Sequence, residues 1–254
     1  MAEGGAAKDD STQSSSSPMA SLGIRAVIVG ATGAIGECLL GELIASKNFA
    51  SIVVLGRREA QAPSSYDVDQ KAEQESGRLK QQIIDFEKLS NDTVGEHFKD
   101  KDVFFCTLGT TRKVAGSAEA FRHIDYDYVV NSAQVAKDSG VQFVSYVSSW
   151  GAKANSWMLY PQVKGQVEDA LKGLKFQSTS IYRPGLLDRG AKARTVEKIA
   201  AWVTSSIQVG TVAKAMRIEA EQYFSKKQQA AADENKEEQN LFSNAEIKAL
   251  CTHT

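Results

Sequence analysis

The stretch "GATGAIG" at residues 30–36 directly follows "IRAVIV" at residues 24–29. The apolar, β-branched run reads as a strand buried on both faces. In segment 34–46, Ile35, Leu39, Leu40, Leu43 and Ile44 fall on one helical face. Glycines therefore sit between a strand and a helix. Gly30 permits the tight turn, Gly33 lets backbone approach a pyrophosphate, and Gly36 allows close packing of helix on sheet. The anion would rest on unpaired N–H groups at the helix N-terminus. A glycine turn without a ligand is the alternative, and the strand before and helix after count against it.

Outward from this stretch the chain alternates. Strand-like runs recur at 51–55, 79–84, 102–107, 141–148 and 178–183. Helix-period segments lie between them: Phe121, Ile124, Tyr128 and Ala136 in 119–138, and Val163, Val167 and Leu171 in 161–172. This alternation predicts an α/β, doubly wound Rossmann fold with a mostly parallel sheet. After Gly185 the pattern turns helical, at 195–205 and 211–225, giving a small C-terminal addition over 186–254. Residues 219–239 are charged and glutamine-rich and read as an exposed helix end or loop. In "NLFSNAEIKAL", Leu241, Phe242, Ile247 and Leu250 are expected to dock back on the domain, which spans 23–254. Residues 1–22 are polar and serine-rich, a composition that predicts a disordered tail.

The net charge of -1 gives no reason to expect nucleic acid or an anionic membrane as partner. No apolar run approaches the roughly 18 residues of a membrane span. Cys38, Cys106 and Cys251 are widely spaced, which argues against a disulfide framework and a zinc site, so no metal is expected. The tail lacks the apolar core of a signal peptide, and it is acidic and arginine-free, unlike a mitochondrial presequence. The expected compartment is cytoplasmic, with the nucleus left open.

The end of the second strand bears on the cofactor. An NAD site wants an acid about twenty residues past the glycines for the ribose 2′-hydroxyl. This chain reads "VVLGRRE", with Arg57 and Arg58 at the strand tip and Glu59 too late. Two guanidiniums suit a 2′-phosphate, so NADP(H) is the expected cofactor. Taken alone, the pair could equally be a solvated loop start. "IIDFE" puts Asp85 and Phe86 where an adenine is contacted, and "CTLGTT" puts Leu108, Gly109 and Thr110 beside the pyrophosphate and inner ribose. Asp85 as a helix cap and Gly109 as a simple turn are the plainer alternatives.

"YPQVK" at 160–164 carries the candidate chemistry. Tyr160 and Lys164 stack one helical turn apart, and Pro161 fits a helix start. Ser148 and Ser149 end the strand before them. Tyr223 and Lys227 repeat the spacing but lack such a strand, and are read as a chance pair. Reducing a carbonyl requires a proton at its oxygen. Moving a phenol from about pKa 10 toward 7 takes roughly 4 kcal/mol. One cation about 4 Å away supplies about that much at an effective dielectric near 20. Lys164 is thus expected to activate Tyr160 as general acid, with serine holding the substrate oxygen.

Together these residues resemble the short-chain dehydrogenase/reductases, and "GATGAIG" points to their extended or atypical branches. "LGRR", "DFEKL", "LGTTR", "DYDYV", "SSWGA", "YPQVKGQVE" and "YRPGLL" resemble the TIP30 family of Tat-interacting-protein oxidoreductases, also called HTATIP2-like proteins. The resemblance implies Thr32, Gly33, Ala34 and Ile35 on the pyrophosphate and Lys164 as a ribose ligand. It also implies Leu186 as a nicotinamide neighbour and brings Arg189 or Arg194 toward the cofactor. Two function classes follow. One is NADPH-dependent reduction of a small carbonyl compound. The other is an NADPH-responsive regulatory or scaffold protein with protein partners and little turnover. Monomer and dimer are both left open.

Overall fold

In the computed structural model, which describes residues 1, 21–188, 206–229 and 237–252, Ile24–Val29 forms strand β1 and Ala34–Ala45 forms helix α1. There follow β2 (Phe49–Gly56), α2 (Gln70–Glu75), β3 (Leu79–Ile83), α3 (Asn91–Phe98) and β4 (Val103–Cys106). The short α4 (Arg112–Ala115) and α5 (Ala118–Arg122) lead through a π-helical turn, His123–Asp127, into α6 (Tyr128–Asp138). Next come β5 (Phe143–Val147), α7 (Leu159–Gly173), β6 (Ser178–Tyr182) and the two-residue strands β7 (Leu187–Asp188) and β8 (Ile207–Gln208). Helix α8 (Val209–Gln229), β9 (Glu238–Phe242) and α9 (Asn244–Leu250) complete the described elements.

The main sheet runs β3-β2-β1-β4-β5-β6-β9, with every pairing parallel. Because side chains alternate along a strand, β1 feeds two cores. Ala26 and Ile28 pack with Leu39 and Leu43 of α1 and Met216 of α8. Val27 and Val29 pack with Phe98 of α3, Val129 of α6 and Val167 of α7. The fold is the expected doubly wound one. Strand order reverses between β1 and β4, and ligands of such sheets bind outside the carboxyl ends of the strands at that point.

The C-terminal third departs from the sequence reading. The charged segment is not simply exposed: Glu219, Ala220 and Phe224 of α8 are buried. Glu238–Phe242 is a seventh strand, paired parallel with β6. Its short polar sequence "EQNLF" carries no buried alternation, as suits an edge strand. Ile247 is fully buried as expected, whereas Leu241 is exposed. The expected helix at 195–205 and nearly all of the tail lie outside the described residues. Tyr223 packs on Phe143, with ring centroids 5.2 Å apart. The Lys227 ammonium donates to Gln142 at 2.5 Å and Gln177 at 2.8 Å. Those glutamines precede β5 and β6, so the second tyrosine–lysine pair serves packing at the amino edge of the sheet.

Glu219 is the exceptional buried group of this region. Its carboxylate accepts from Ser180 at 2.7 Å, Tyr182 at 3.2 Å and Asn240 at 3.3 Å, tying α8 to β6 and β9. Burial pushes its pKa from 4.5 up to about 7, with the three donors opposing the rise. A folded-state value above the unfolded one means that stability is greatest at low pH. It is lost as pH climbs from the unfolded pKa through the folded one. Glu219→Gln should therefore gain on the wild type by up to about 3 kcal/mol between pH 5 and pH 8. Denaturant unfolding at both pH values checks this, and a pH-independent difference would refute it.

Candidate functional site

Six segments follow the carboxyl ends of β1 to β6 and meet along one edge. Gly30 has φ +89°, and a Cβ there would lie 2.6 Å from the Leu108 nitrogen. A Cβ on Gly36 would lie 2.2 Å from the Gly30 carbonyl. Only glycine lets the turn after β1, the start of α1 and the segment after β4 come this close. Gly33 is the N-cap of α1 and supplies no side-chain cap. The first N–H groups of α1, from Ala34 and Ile35 onward, are therefore open to an outside acceptor. This arrangement fits phosphate oxygens.

Beside the turn lies a cleft of about 360 Å³. Gly30, Ala31 and Thr32 form one side, Gly56, Arg57 and Arg58 another, with Phe86 and Leu108 across from them. Both arginines are exposed, and neither joins an ion pair among the described residues. No carboxylate lines the cleft. Asp85 instead caps the turn at Phe86–Lys88, accepting from the Glu87 N–H at 3.0 Å. That cap is the plainer of its two readings.

A second brace was not visible in the sequence. The Phe86 ring packs on Tyr128 with centroids 5.2 Å apart. Tyr128 donates its hydroxyl hydrogen to Glu87. His123 joins Glu87 at 2.9 Å and Asp127 at 2.7 Å. The hydrogen bonds to Asp127 and Glu87 raise the His123 pKa. These residues come from two distant segments, so no local pattern announces them.

Tyr160 stands in the first turn of α7, 42% exposed, its ring 5.8 Å from that of buried Phe121. Lys164, one turn on, is only 3% exposed. Its ammonium donates to the Tyr146 hydroxyl at 3.1 Å and lies 3.1 Å from Asp125 Oδ1. Burial alone would lower the Lys164 pKa, but Tyr146, Asp125 and Tyr160 outweigh it and the value is raised. Asp125 is fully buried in the π-helical turn, and its Oδ2 accepts from the Thr110 N–H at 2.8 Å. The contact of Oδ1 with Lys164 is a close ion pair without well-directed hydrogen-bond geometry. Lys164 is thus not the lone cation expected from "YPQVK".

The two serines separate. Ser148 is buried, and its hydroxyl donates to Glu168 at 2.5 Å. Glu168 in turn pairs with Arg183. Ser148 therefore joins the end of β5 to α7 and does not face the open edge. Ser149 is partly exposed, with its hydroxyl on the Trp150 carbonyl at 3.3 Å. Leu186 is exposed, and its carbonyl accepts from the Ile207 N–H at 2.9 Å. Arg189 and Arg194 lie outside the described residues.

Residues 30–218 match the family model for NAD(P)H-binding proteins. The chain belongs to the NAD(P)H-binding family. Its relatives there are HTATIP2-like, as the motifs led us to expect. Protein HTATIP2 of Rattus norvegicus is 40% identical over 160 residues, 63% of this chain and 61% of the rat protein. This chain thus matches less than two thirds of that relative's length. The mitochondrial protein FMP52 of Meyerozyma guilliermondii is 34% identical over 190 residues, 72% of this chain and 76% of the yeast protein. Among solved structures, MoeE5 in complex with UDP-glucose and NAD superposes with a TM-score of 0.60. That match has 15% identity and covers 86% of this chain and 75% of MoeE5, a likeness of fold. The uncapped α1 terminus and the cleft beside it fit the nicotinamide cofactor that the family binds.

The contact of Gly36 with Gly30 is testable directly. Gly36→Ala must displace backbone rather than a flexible side chain, and overpacking of this kind costs about 1–3 kcal/mol. Denaturant unfolding should show that loss. An unchanged midpoint would mean that the turn does not depend on the close approach.

Proposed function

We propose that the chain is an NADP(H)-dependent oxidoreductase that reduces a small carbonyl compound with Tyr160 as general acid. The observation that carries this reading is the division of one sheet edge. An arginine-lined cleft without carboxylates sits at one end, and Tyr160 above buried Lys164 sits at the other. In this reading Arg57 and Arg58 take the 2′-phosphate, Phe86 and Leu108 flank the adenosine, and the N–H groups of Ala34 and Ile35 hold the pyrophosphate. Lys164 and Gly109 meet the inner ribose. When bound, the nicotinamide supplies hydride to the carbonyl carbon. The Tyr160 phenol gives its proton to the carbonyl oxygen, and Ser149 orients that oxygen by a hydrogen bond. Ser148 takes no part in contact with substrate and supports the α7 scaffold through Glu168.

A second reading, an NADPH-responsive regulatory protein with little turnover, has one observation in its favour. Among the described residues, Tyr160 is 42% and Trp157 91% exposed. A cofactor-reading surface needs no enclosed substrate pocket. No helix of the described residues is long and apolar enough to cross a membrane. We keep the cytoplasmic placement as an expectation beside the mitochondrial designation of the fungal relatives.

NADPH oxidation across a panel of carbonyl compounds tests the first reading. Turnover is expected, with Tyr160→Phe reducing kcat at least about a hundredfold, the scale of general acid catalysis, and leaving NADPH affinity largely intact. Tight NADPH binding with no turnover on any compound would favour the regulatory reading. Cofactor choice has its own test. Replacing both Arg57 and Arg58 with alanine should weaken NADPH binding at least about tenfold more than NADH binding. Equal losses would remove the 2′-phosphate assignment.

A further inference from the structure

We infer that Asp125 is a positioning residue of this site: it holds the Lys164 ammonium beneath Gly109 and ties it to the Thr110 segment. The inference rests on the reductase reading for its catalytic meaning, and on geometry for the coupling itself. Asp125 is 0% exposed, and its two oxygens face different elements. Oδ2 accepts the Thr110 N–H from the segment after β4, and Oδ1 lies against Lys164 of α7. Gly109 lies over the pair: a Cβ there would be 3.5 Å from Lys164 Nζ and 3.6 Å from Asp125 Oδ1. One carboxylate thereby sets the relative position of two segments that a ribose would have to touch together.

Asp125 lies in the π-helical turn His123–Asp127. The i→i+5 bonding of that turn inserts a residue into the helix, a feature frequent at functional sites. Phe121, Asp125, Tyr128 and Val129 then face the sheet, while Ile124 is only partly buried. An amide at 125 would accept the Thr110 N–H equally well. The charge is what Lys164 requires, because a buried ammonium that loses its counter-ion is left strongly destabilised. The other titratable groups facing Lys164 are Tyr146 of β5, Cys106 of β4 and Tyr160 of its own helix. Burial pushes the pKa of both Cys106 and Tyr146 up, and Lys164 opposes the rise in each. Asp125 is the carboxylate among the groups around Lys164, 3.1 Å from its ammonium.

Asp125→Asn keeps the acceptor for Thr110 and puts a neutral NH2 in place of the oxygen that faces Lys164. Loss of a nearby negative charge favours deprotonation of Lys164 and of Tyr160 alike, so the sign of the effect does not depend on which of them titrates. The first readout needs no cofactor. The Lys164 side-chain carbon resonance, assigned with Lys164→Met, is followed against pH by NMR. In the wild type it should stay that of the ammonium to the alkaline limit of folding, and in Asp125→Asn it should begin to titrate below that limit. The second readout is the alkaline limb of kcat/KM for NADPH-dependent reduction, expected to move down in the same variant. A purely structural role would lower activity at every pH without moving that limb. Should Asp125→Asn fail to fold, Asp125→Asn/Lys164→Met removes both charges and should recover stability lost by the single variant. Lys164 titrating at the same pH with and without Asp125, or a double variant no more stable than the single, would overturn the inference. A shifted Lys164 titration in a protein that turns over no carbonyl would uphold the coupling and count against the reductase reading alone.

Discussion

The close approach of backbone at Gly30 governs the geometry of the whole edge. β1 ends there, α1 begins within one turn, and the segment after β4 passes within van der Waals reach. No residue with a Cβ leaves room for all three. That contact fixes where the open N–H groups of α1 point and where Leu108 and Gly109 run beside them. From Gly109 the same constraint passes through Asp125 to Lys164 and so to α7. The phosphate end and the chemical end are therefore parts of one backbone arrangement.

The two ends handle charge in opposite ways. Arg57 and Arg58 stand in solvent, where a planar guanidinium keeps its charge at little cost and can meet a phosphate with paired hydrogen bonds. Lys164 is buried with its counter-ion, where the desolvation penalty is large and the geometry of the pair decides the outcome. The exposed pair can select a ligand without disturbing the fold. The buried pair cannot change partner without disturbing the elements it joins. Behind both, Glu168 with Arg183 and Ser148, and Glu87 with His123 and Tyr128, brace the same strand ends from outside the open edge.

Much of this was legible in the sequence. Hydrophobic patterning located β1 to β6, α1 and α7 to within a few residues, because all but the edge strand β3 are largely buried. "GATGAIG" placed the turn, and Arg57, Arg58 and Phe86 were placed by strand ends alone. What escaped detection came from contacts between distant segments. β9 is short, polar and at a sheet edge, so it carries no apolar signal. Asp125 is one of two acids in "HIDYD", and the residues that hold it, Thr110 and Lys164, come from other segments. Ser148 and Ser149 are adjacent in an extended segment, so period-two alternation sends one to each side, but sequence does not say which faces the edge. The counter-ion of Lys164 escaped for the same reason: the spacing is visible in "YPQVK", and Asp125 lies 39 residues away.

The central claim is that this edge binds a nicotinamide dinucleotide through its 2′-phosphate. Calorimetric titration of the unmodified protein with NADP+ and with NAD+, at one salt concentration, tests it most directly. Binding of NADP+ at least about tenfold tighter than NAD+, a difference of about 1.4 kcal/mol, is the result the account predicts. Equal affinities, tighter NAD+, or no binding of either would contradict it.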